Sequence, residues 1–343
     1  MRSFCLVLAV AGCTALALAQ PASTAGPYKV LKTAKVGGAG GFDYVYADSV
    51  GRRLYVPRGG SPGRISVFNL DTLEPVGEIP NVSARGAAVD PKSGHGFSSS
   101  KPVAMWDTKT MSVIKTIDVQ GGPDGILFDA FNDRVYVFSH SAPNTTVIDS
   151  KDGSVVGTID LDGAPEQAVS DGKGHIYVDI EDKDNVAVVD AKTLKVTAHY
   201  DLGGKGGTCA GLAMDVKNRI LFTACRKPQA MVMLNADTGK VIDSLPIGAG
   251  TDGAVFNSAT MEAFSSQGDG TLTVVKENSP TSFVVAQTVQ TLPRAKTLTL
   301  DSKTNNIYLI TAEFTPAPPP PAGGRPGRPQ MVPDSFSILV VGK

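Results

Sequence analysis

The amino-acid sequence predicts an all-β protein, a seven-bladed β-propeller whose N-terminal strand completes the last blade. Three observations support this prediction. A pattern recurs about every 42 residues, which is typical of four-stranded propeller blades. The chain contains 37 Gly and 23 Pro, as expected for many short strands joined by tight turns. The last repeat is incomplete, and a segment that resembles its missing strand lies near the N-terminus.

Each repeat is marked by an acidic or amide residue that ends an apolar run, and an aromatic residue follows six or seven positions later. Seven such marks predict seven blades, numbered 1 to 7 in chain order. The marker residues are Asp48, Asp90, Asp129, Asp171, Asp215, Asn257 and Asp301. The aromatic residues are Tyr55, Phe97, Tyr136, Tyr177, Phe222, Phe264 and Tyr308.

The strands of a repeat differ in their hydrophobic pattern. The first strand is almost entirely apolar, as at residues 125–128 and 211–214. This pattern predicts an innermost strand that is buried between neighbouring blades. The third strand ends in a turn such as Val147-Ile148-Asp149, and a fourth strand such as residues 155–159 follows.

The two ends of the chain supply one blade between them. The last repeat reaches a third strand at residues 335–341 and then stops, while residues 29–37 resemble the fourth strand of the other repeats. Pairing these segments would close the ring and remove the unpaired strand edges that favour aggregation.

The repeats resemble those of the YVTN-repeat propellers, the YncE-like family. The matching segments are Arg53-Leu54-Tyr55-Val56, Arg134-Val135-Tyr136-Val137 and His175-Ile176-Tyr177-Val178, each followed later by a Val-x-Asp-x-x-Thr type of turn. The resemblance covers almost all of the mature chain and implies the seven-bladed fold. It is weak for function, because similar folds serve as binding scaffolds, lactonases, lyases and quinoprotein dehydrogenase subunits. Blade 6 departs from the pattern at Lys276-Glu277-Asn278.

The N-terminal segment predicts export. Residues 1–19 carry one early positive charge, an apolar run and a small-x-small ending, which together are typical of a signal peptide that is removed. Residues 20–26 are then a short linker, and residues 27–343 form a single propeller in the periplasm or outside the cell. An alternative is a lipoprotein anchored at Cys13, although the apolar run continues past that residue. No later segment is apolar enough to span a membrane.

Charged residues recur at one position of the repeat, five residues before each mark. In a propeller this position lies at the mouth of the central funnel, where ligands usually bind. In blade order the position holds Asp43, Arg85, Asp124, Glu166, Ala210, Asp252 and Lys296. A second position, eleven residues after the mark with one deletion in blade 4, holds Gly59, Lys101, His140, Glu181, Arg226, Gly268 and Ala312.

These positions predict a funnel rim with acids over blades 3 and 4 and bases over blades 7, 1 and 2, where Arg58 and Arg294 add to the positive charge. Such a rim would suit a ligand with separated charges. The alternative is a set of surface charges that pair across blades. No cofactor is predicted; the alternative is a divalent metal, with Asp124, His140, Glu166 and Glu181 as candidate ligands.

Two further features belong to blades 5 and 7. Cys5 and Cys13 lie in the leader, so Cys209 and Cys225 remain, and they should face each other across the first two strands of blade 5. In an oxidising compartment we expect a disulfide there, with a reactive dithiol or a soft-metal pair as alternatives. A Pro-rich insertion at residues 315–334 interrupts blade 7 on the funnel face. It is a solvated loop, or else a lid or a docking strip for a protein partner.

The sequence therefore favours a binding protein that takes a small molecule or peptide at the funnel, without a recognisable catalytic motif. The alternatives are a metal-assisted enzyme of the lactonase or lyase kind and an interaction scaffold of the cell envelope. The net charge of −1 argues against nucleic acid as a partner, because phosphate binding needs a basic face.

Overall fold

The seven predicted repeats form seven four-stranded antiparallel sheets in a computed structural model of the chain, which describes residues 24–317, 327 and 329–343. Within those residues the structure contains 28 strands and no helix. The predicted fold class, a seven-bladed β-propeller, is confirmed. The strand β1 spans Lys29–Lys35 and belongs to blade 7, and the other strands follow in blade order.

Blade 1 contains β2 (Tyr46–Asp48), β3 (Arg53–Arg58), β4 (Arg64–Asn69) and β5 (Pro75–Pro80). Blade 2 contains β6 (Ala87–Asp90), β7 (His95–Ser98), β8 (Val103–Asp107) and β9 (Val113–Ile117). Blade 3 contains β10 (Pro123–Asp129), β11 (Arg134–Ser139), β12 (Asn144–Asp149) and β13 (Val155–Asp160). Blade 4 contains β14 (Pro165–Ser170), β15 (His175–Ile180), β16 (Asn185–Asp190) and β17 (Lys195–Asp201).

Blade 5 contains β18 (Cys209–Asp215), β19 (Ile220–Arg226), β20 (Gln229–Asn235) and β21 (Val241–Pro246). Blade 6 contains β22 (Thr251–Asn257), β23 (Glu262–Gln267), β24 (Thr271–Ser279) and β25 (Ser282–Gln290). Blade 7 contains β26 (Leu298–Asp301), β27 (Asn306–Thr311) and β28 (Ser337–Gly342), with β1 as its outermost strand.

The ring closes through β1, as the sequence predicted. This strand pairs antiparallel with β28, so that Lys29 lies opposite Gly342 and Lys35 lies opposite Ser337. Just before β1, the backbone N–H of Tyr28 donates a hydrogen bond to Gln287 Oε1 of blade 6 at 3.0 Å. The N-terminal segment therefore completes one blade and also contacts its neighbour.

The hydrophobic core lies between the blades. The described apolar residues form seven clusters, one at each boundary between neighbouring blades. The aromatic residues that define the repeat are all in this core, with no more than 3% of their surface exposed. Their recurrence in the sequence reflects this common buried position.

The marker residues form the turns between first and second strands and also link blades. Asp48 Oδ1 accepts hydrogen bonds from the backbone N–H groups of Val50 and Gly51, at 3.1 and 2.8 Å. Asp301 forms an ion pair with Arg52 of the next blade at 2.8 Å. An acidic or amide residue is favoured at this position because its side chain can satisfy the backbone N–H groups of the turn.

The predicted disulfide joins Cys209 and Cys225, which lie opposite each other in β18 and β19. The predicted Pro-rich insertion lies between β27 and β28, and its base is held by a β-bridge between Phe314 and Met331. Residues 318–326 and 328 of the insertion, and residues 1–23 with the predicted leader and Cys13, lie outside the described residues. Across the part of the chain that is described, no helix could cross a membrane.

Candidate functional site

Charged side chains from all seven blades converge on one cavity at the mouth of the central funnel. The cavity has a volume of about 460 Å³. It contains nine of the twelve ionisable side chains that the sequence placed at the rim, the other three being Arg58, Lys101 and Arg294. Its lining residues are Asp43, Arg85, Gly122, Pro123, Asp124, His140, Ser141, Glu166, Glu181, Arg226, Asp252 and Lys296.

The fold brings these residues together because each occupies the same place in its blade. Asp124, Glu166 and Asp252 each lie second in an innermost strand, at the end that faces the funnel. His140 and Glu181 directly follow the second strands β11 and β15, which run antiparallel to the innermost strands. Adjacent antiparallel strands start and end at the same edge of a blade, so the two repeat positions meet at one rim.

Arg85 links blades 1, 2 and 3 on one side of the cavity. Its Nη1 atom lies 3.3 Å from Asp43 Oδ2 and 3.2 Å from Asp124 Oδ2. The Arg85 side chain is 59% exposed, whereas both carboxylates are largely buried. A single guanidinium therefore compensates two carboxylates from the cavity side.

Arg226 links blades 4, 5 and 6 on the other side. Its Nη1 atom lies 2.5 Å from Glu181 Oε1, its Nη2 atom pairs with Asp252, and its Nε atom donates to the backbone oxygen of Thr251 at 2.9 Å. Asp252 also pairs with Lys296 of blade 7. Positive and negative groups thus alternate from blade to blade over most of the ring.

The alternation breaks between blades 3 and 4, where Asp124 and Glu166 occupy neighbouring positions without a permanent cation between them. His140 lies at this break, with Nδ1 at 3.4 Å from Glu166 Oε1 and Nε2 at 3.8 Å from Glu181 Oε2. The other Glu166 oxygen, Oε2, accepts a hydrogen bond from the Tyr44 hydroxyl at 3.1 Å.

Burial and like charge raise the pKa values of two carboxyl groups in the cavity. Burial, together with the neighbouring Asp124, Asp252 and Glu181, raises the pKa of Glu166 well above its usual range, and Arg226 offsets this only in part. Burial and Asp252 raise the pKa of Asp43 to about 6, despite the opposing effect of Lys296. The cavity therefore holds more carboxyl groups than its own cations can keep ionised at neutral pH.

Three side chains at the break have the arrangement of metal ligands. Asp124, His140 and Glu166 each offer one ligand atom, and these atoms lie within 4.8 Å of one another. Glu181, the fourth candidate from the sequence, lies 3.8 Å from the other ring nitrogen of His140, Nε2, and is not part of this group.

The structure corrects two predicted rim residues, Arg58 and Lys101. Arg58 is only 1% exposed, and its guanidinium stacks 3.7 Å from the ring centroid of Phe336 and donates to the backbone oxygens of Gly37 and Gly38. It therefore holds a loop rather than facing the funnel. Lys101 lines a separate cavity between blades 1 and 2, because β7 ends early, at Ser98.

The predicted separation of acids and bases across the funnel is only partial. Arg294, assigned to the basic side, stacks 4.3 Å from the ring centroid of Phe314. Arg226 of blade 5 instead brings a positive charge to the side where acids were expected. Pairing between neighbouring blades distributes the charges, so the rim has no single positive side and no single negative side.

The sequence analysis did not identify Tyr44 and Gln167, each of which directly follows the charged position of its repeat. Tyr44 orients Glu166, as described above. Gln167 extends beneath the cavity: its Nε2 atom donates to Ala254 O at 2.9 Å, and its Oε1 atom accepts from Leu212 N at 3.1 Å. Comparing the position next to the charged one across all repeats would have drawn attention to both.

An apolar cavity lies next to the funnel, also with a volume of about 460 Å³. It is bounded by Phe42, Phe314 and Met331, the last two at the base of the Pro-rich insertion, and it shares Lys296 with the polar cavity. The funnel face thus combines a polar cavity with an adjoining apolar one.

Comparison with known proteins supports the fold and no particular family. No protein-family model and no curated protein matches the chain. Among solved structures, 1610 chains match, and one of these comes from a structure titled "Crystal Structure of Mitotic Checkpoint Complex". Its TM-score is 0.70 at 10% sequence identity, over 90% of this chain and 95% of that chain. This similarity shows the propeller fold alone, and the resemblance to YVTN-repeat propellers stays a prediction.

Proposed function

We propose that the protein is an exported binding protein that holds a small, strongly polar molecule in the funnel cavity. The observation that carries this proposal is the convergence of nine ionisable side chains from all seven blades on one cavity of about 460 Å³. A cavity of this size accommodates a small molecule or the end of a peptide, and it falls within the range of known ligand sites.

The charges indicate what kind of ligand fits. When all groups are ionised, five carboxylates face three permanent cations in the cavity, which leaves a net charge of −2. The exposed Arg85 side chain can contribute a bidentate contact to an anionic group, while Glu166 and Asp124 favour a positive one. We therefore propose a ligand that carries positively charged groups and, in smaller number, anionic groups that can accept hydrogen bonds from Arg85.

Export rests on the predicted leader at residues 1–19 and on the disulfide between Cys209 and Cys225. Disulfides of this kind persist in the periplasm or outside the cell and are rare in the cytosol. The same protein sample that tests ligand binding also tests export. Its intact mass should correspond to a chain that begins at Gln20 with both cysteines oxidised, whereas a lipid on Cys13 would contradict the proposed cleavage.

Ligand binding can be tested with tag-free protein equilibrated with the small-molecule extract of the cells that produce it. After gel filtration and denaturation, mass spectrometry identifies the compounds released. We expect one polar compound in near-stoichiometric amount from the wild type. The Arg85→Gln variant should retain about tenfold less, as expected for the loss of one charged hydrogen bond.

Lys101→Gln is the matched control, because it removes an exposed positive charge that lies outside the funnel cavity. This variant should release as much compound as the wild type. Equal amounts from wild type and Arg85→Gln, or no enriched compound at all, would show that the funnel does not bind a small molecule from that extract.

A further inference from the structure

We propose that Asp124, His140 and Glu166 bind one divalent transition-metal ion, of the Zn²⁺ or Mn²⁺ type, at the break in the charged ring. The inference rests on the proposed function, because it assigns a ligand to part of the same cavity. Three features of the three side chains carry it: their remaining polar atoms, their spacing and the charge around them.

Each of the three side chains uses one polar atom for a protein partner. Asp124 Oδ2 lies 3.2 Å from Arg85 Nη1, and Glu166 Oε2 accepts from the Tyr44 hydroxyl at 3.1 Å. His140 Nε2 lies 3.8 Å from Glu181 Oε2. These contacts leave Asp124 Oδ1 for a common ligand, together with Glu166 Oε1 and His140 Nδ1, which face each other at 3.4 Å. Outer partners of this kind fix the orientation of metal ligands.

Two of the remaining atoms are buried without a hydrogen-bond partner. Asp124 is only 6% exposed, and its Oδ1 atom has no partner among the residues that the structure describes. His140 Nδ1 is also buried without a hydrogen bond, although it lies 3.4 Å from Glu166 Oε1. Buried polar atoms are nearly always satisfied in folded proteins, so these two unsatisfied atoms in one cluster point to a missing partner. A metal ion would satisfy both atoms at once.

The spacing suits a metal ion. Ligand atoms from the three residues lie within 4.8 Å of one another. Zinc ligands lie about 2.0–2.2 Å from the ion and calcium ligands about 2.3–2.6 Å, so two ligands of one ion are at most about 4–5 Å apart. Small side-chain rotations would therefore bring all three atoms to bonding distance.

The charge and the donor types point to the class of ion. The fully ionised cavity carries a net charge of −2, which one divalent cation would neutralise. Imidazole nitrogen favours zinc and its neighbours in the transition series, and carboxylate oxygen favours manganese, magnesium and calcium. One nitrogen with two carboxylates therefore favours Zn²⁺ or Mn²⁺ over Ca²⁺.

The test uses tag-free protein, stripped with a chelator and dialysed, and isothermal titration calorimetry with ZnCl₂, MnCl₂ and CaCl₂. We expect one equivalent of Zn²⁺ or Mn²⁺ to bind more tightly than Ca²⁺. Asp124→Asn and His140→Gln should each weaken binding by more than about 100-fold, beyond the 10–100-fold typical of losing an outer partner. Glu166→Gln, which keeps the Tyr44 contact, should have the same effect.

His175→Gln is the matched control. His175 also contacts a carboxylate, with Nδ1 at 3.0 Å from Asp171 Oδ2, but an ion pair with Arg219 already compensates that carboxylate. This variant should bind the metal like the wild type. Thermal unfolding in chelator would confirm that every variant is folded, and the three ligand variants provide independent readings if one of them is not.

Three outcomes would overturn the inference: no saturable binding of any ion, binding that survives in folded Asp124→Asn and His140→Gln, or equal loss in His175→Gln. Tighter binding of Ca²⁺ would overturn the assigned class of ion. The proposed function fails separately. If the protein captures an organic compound in the presence of chelator but binds no metal, the proposed function stands and the metal site is disproved. If it binds metal but captures no compound, the metal site stands and the proposed function is disproved.

Discussion

Asp179 lies in β15 and is completely buried in the wall between blades 4 and 5. One of its oxygens accepts a hydrogen bond from the Thr223 hydroxyl at 2.8 Å, and the other has no partner in the described residues. Burial therefore raises the pKa of Asp179 well above its usual value. This carboxyl group stays protonated in the folded protein under conditions where the unfolded chain would release the proton.

The sign of the pH dependence follows from this difference. The unfolded state loses the Asp179 proton near pH 4 while the folded state keeps it, so the group lowers the free energy of unfolding as the pH rises. Asn resembles the protonated acid and does not titrate. Asp179→Asn should therefore gain stability relative to the wild type by up to about 1.4 kcal/mol per pH unit above pH 4. Urea unfolding between pH 5 and 7 measures this gain.

Asp190 provides the opposite case in the same blade. Backbone and side-chain hydrogen bonds from Thr193 lower the pKa of Asp190. The stabilisation from its ionised form is present above the unfolded pKa and is lost as the pH falls through the folded one. Asp190→Asn should thus lose stability relative to the wild type as the pH rises from 3. If the stability of both variants relative to the wild type changed with pH in the same direction, Asp179 would not be protonated in the folded protein.

At the scale of a strand pair, the disulfide joins two strands that are already hydrogen-bonded neighbours, β18 and β19. Cross-linking a loop of about 15 residues is worth about 3 kcal/mol in the chain-entropy model. A reductant should therefore lower the free energy of unfolding of the wild type by about 3 kcal/mol, which appears as a lower denaturation midpoint. It should leave the Cys209→Ala/Cys225→Ala variant unchanged, since that variant has no disulfide to lose. A wild-type midpoint that ignores the reductant would mean that the two thiols are not joined.

Strand length decides where the sequence analysis of the funnel succeeded. His140 and Glu181 follow directly after β11 and β15, so both reach the cavity as predicted. Lys101 occupies the same repeat position, but β7 ends at Ser98, three residues before it, and Lys101 lines a different cavity. The sequence repeat shows which residues of different blades occupy equivalent positions. It does not show where a strand ends, because that depends on how the strand pairs with its neighbour.

Arg58 shows a second limit of the same kind. It precedes the repeat position at Gly59 by one residue, and successive side chains of a strand point to opposite sides. Its guanidinium accordingly turns to Phe336 and the loop at Gly38. Which charges face the cavity could be predicted from register, but which charges pair could not, because pairing depends on side-chain reach across blades.

At the scale of the whole molecule, the last blade depends on β1. Deleting residues 28–36 would remove Tyr28, which is 4% exposed, and would leave β28 as an open edge. Losing a buried aromatic alone typically costs about 3–5 kcal/mol, and an open edge favours self-association. The truncated protein should therefore unfold at lower denaturant concentration and sediment as oligomers.

Leu31→Thr is the control for this truncation. Leu31 lies in β1 but is 44% exposed, so the substitution keeps the strand and should leave stability nearly unchanged. A truncated protein as stable and as monomeric as this control would mean that the ring closes without β1.

The number of blades has a consequence for the charged ring. Counting one group per blade and taking Arg226 for blade 5, the signs run −, +, −, −, +, −, + from Asp43 to Lys296. Strict alternation can close only around an even number of members, so seven blades always leave at least one pair of like neighbours. In this chain the mismatch falls once, between Asp124 and Glu166. The geometric frustration that an odd-fold ring imposes is thereby confined to one boundary between blades.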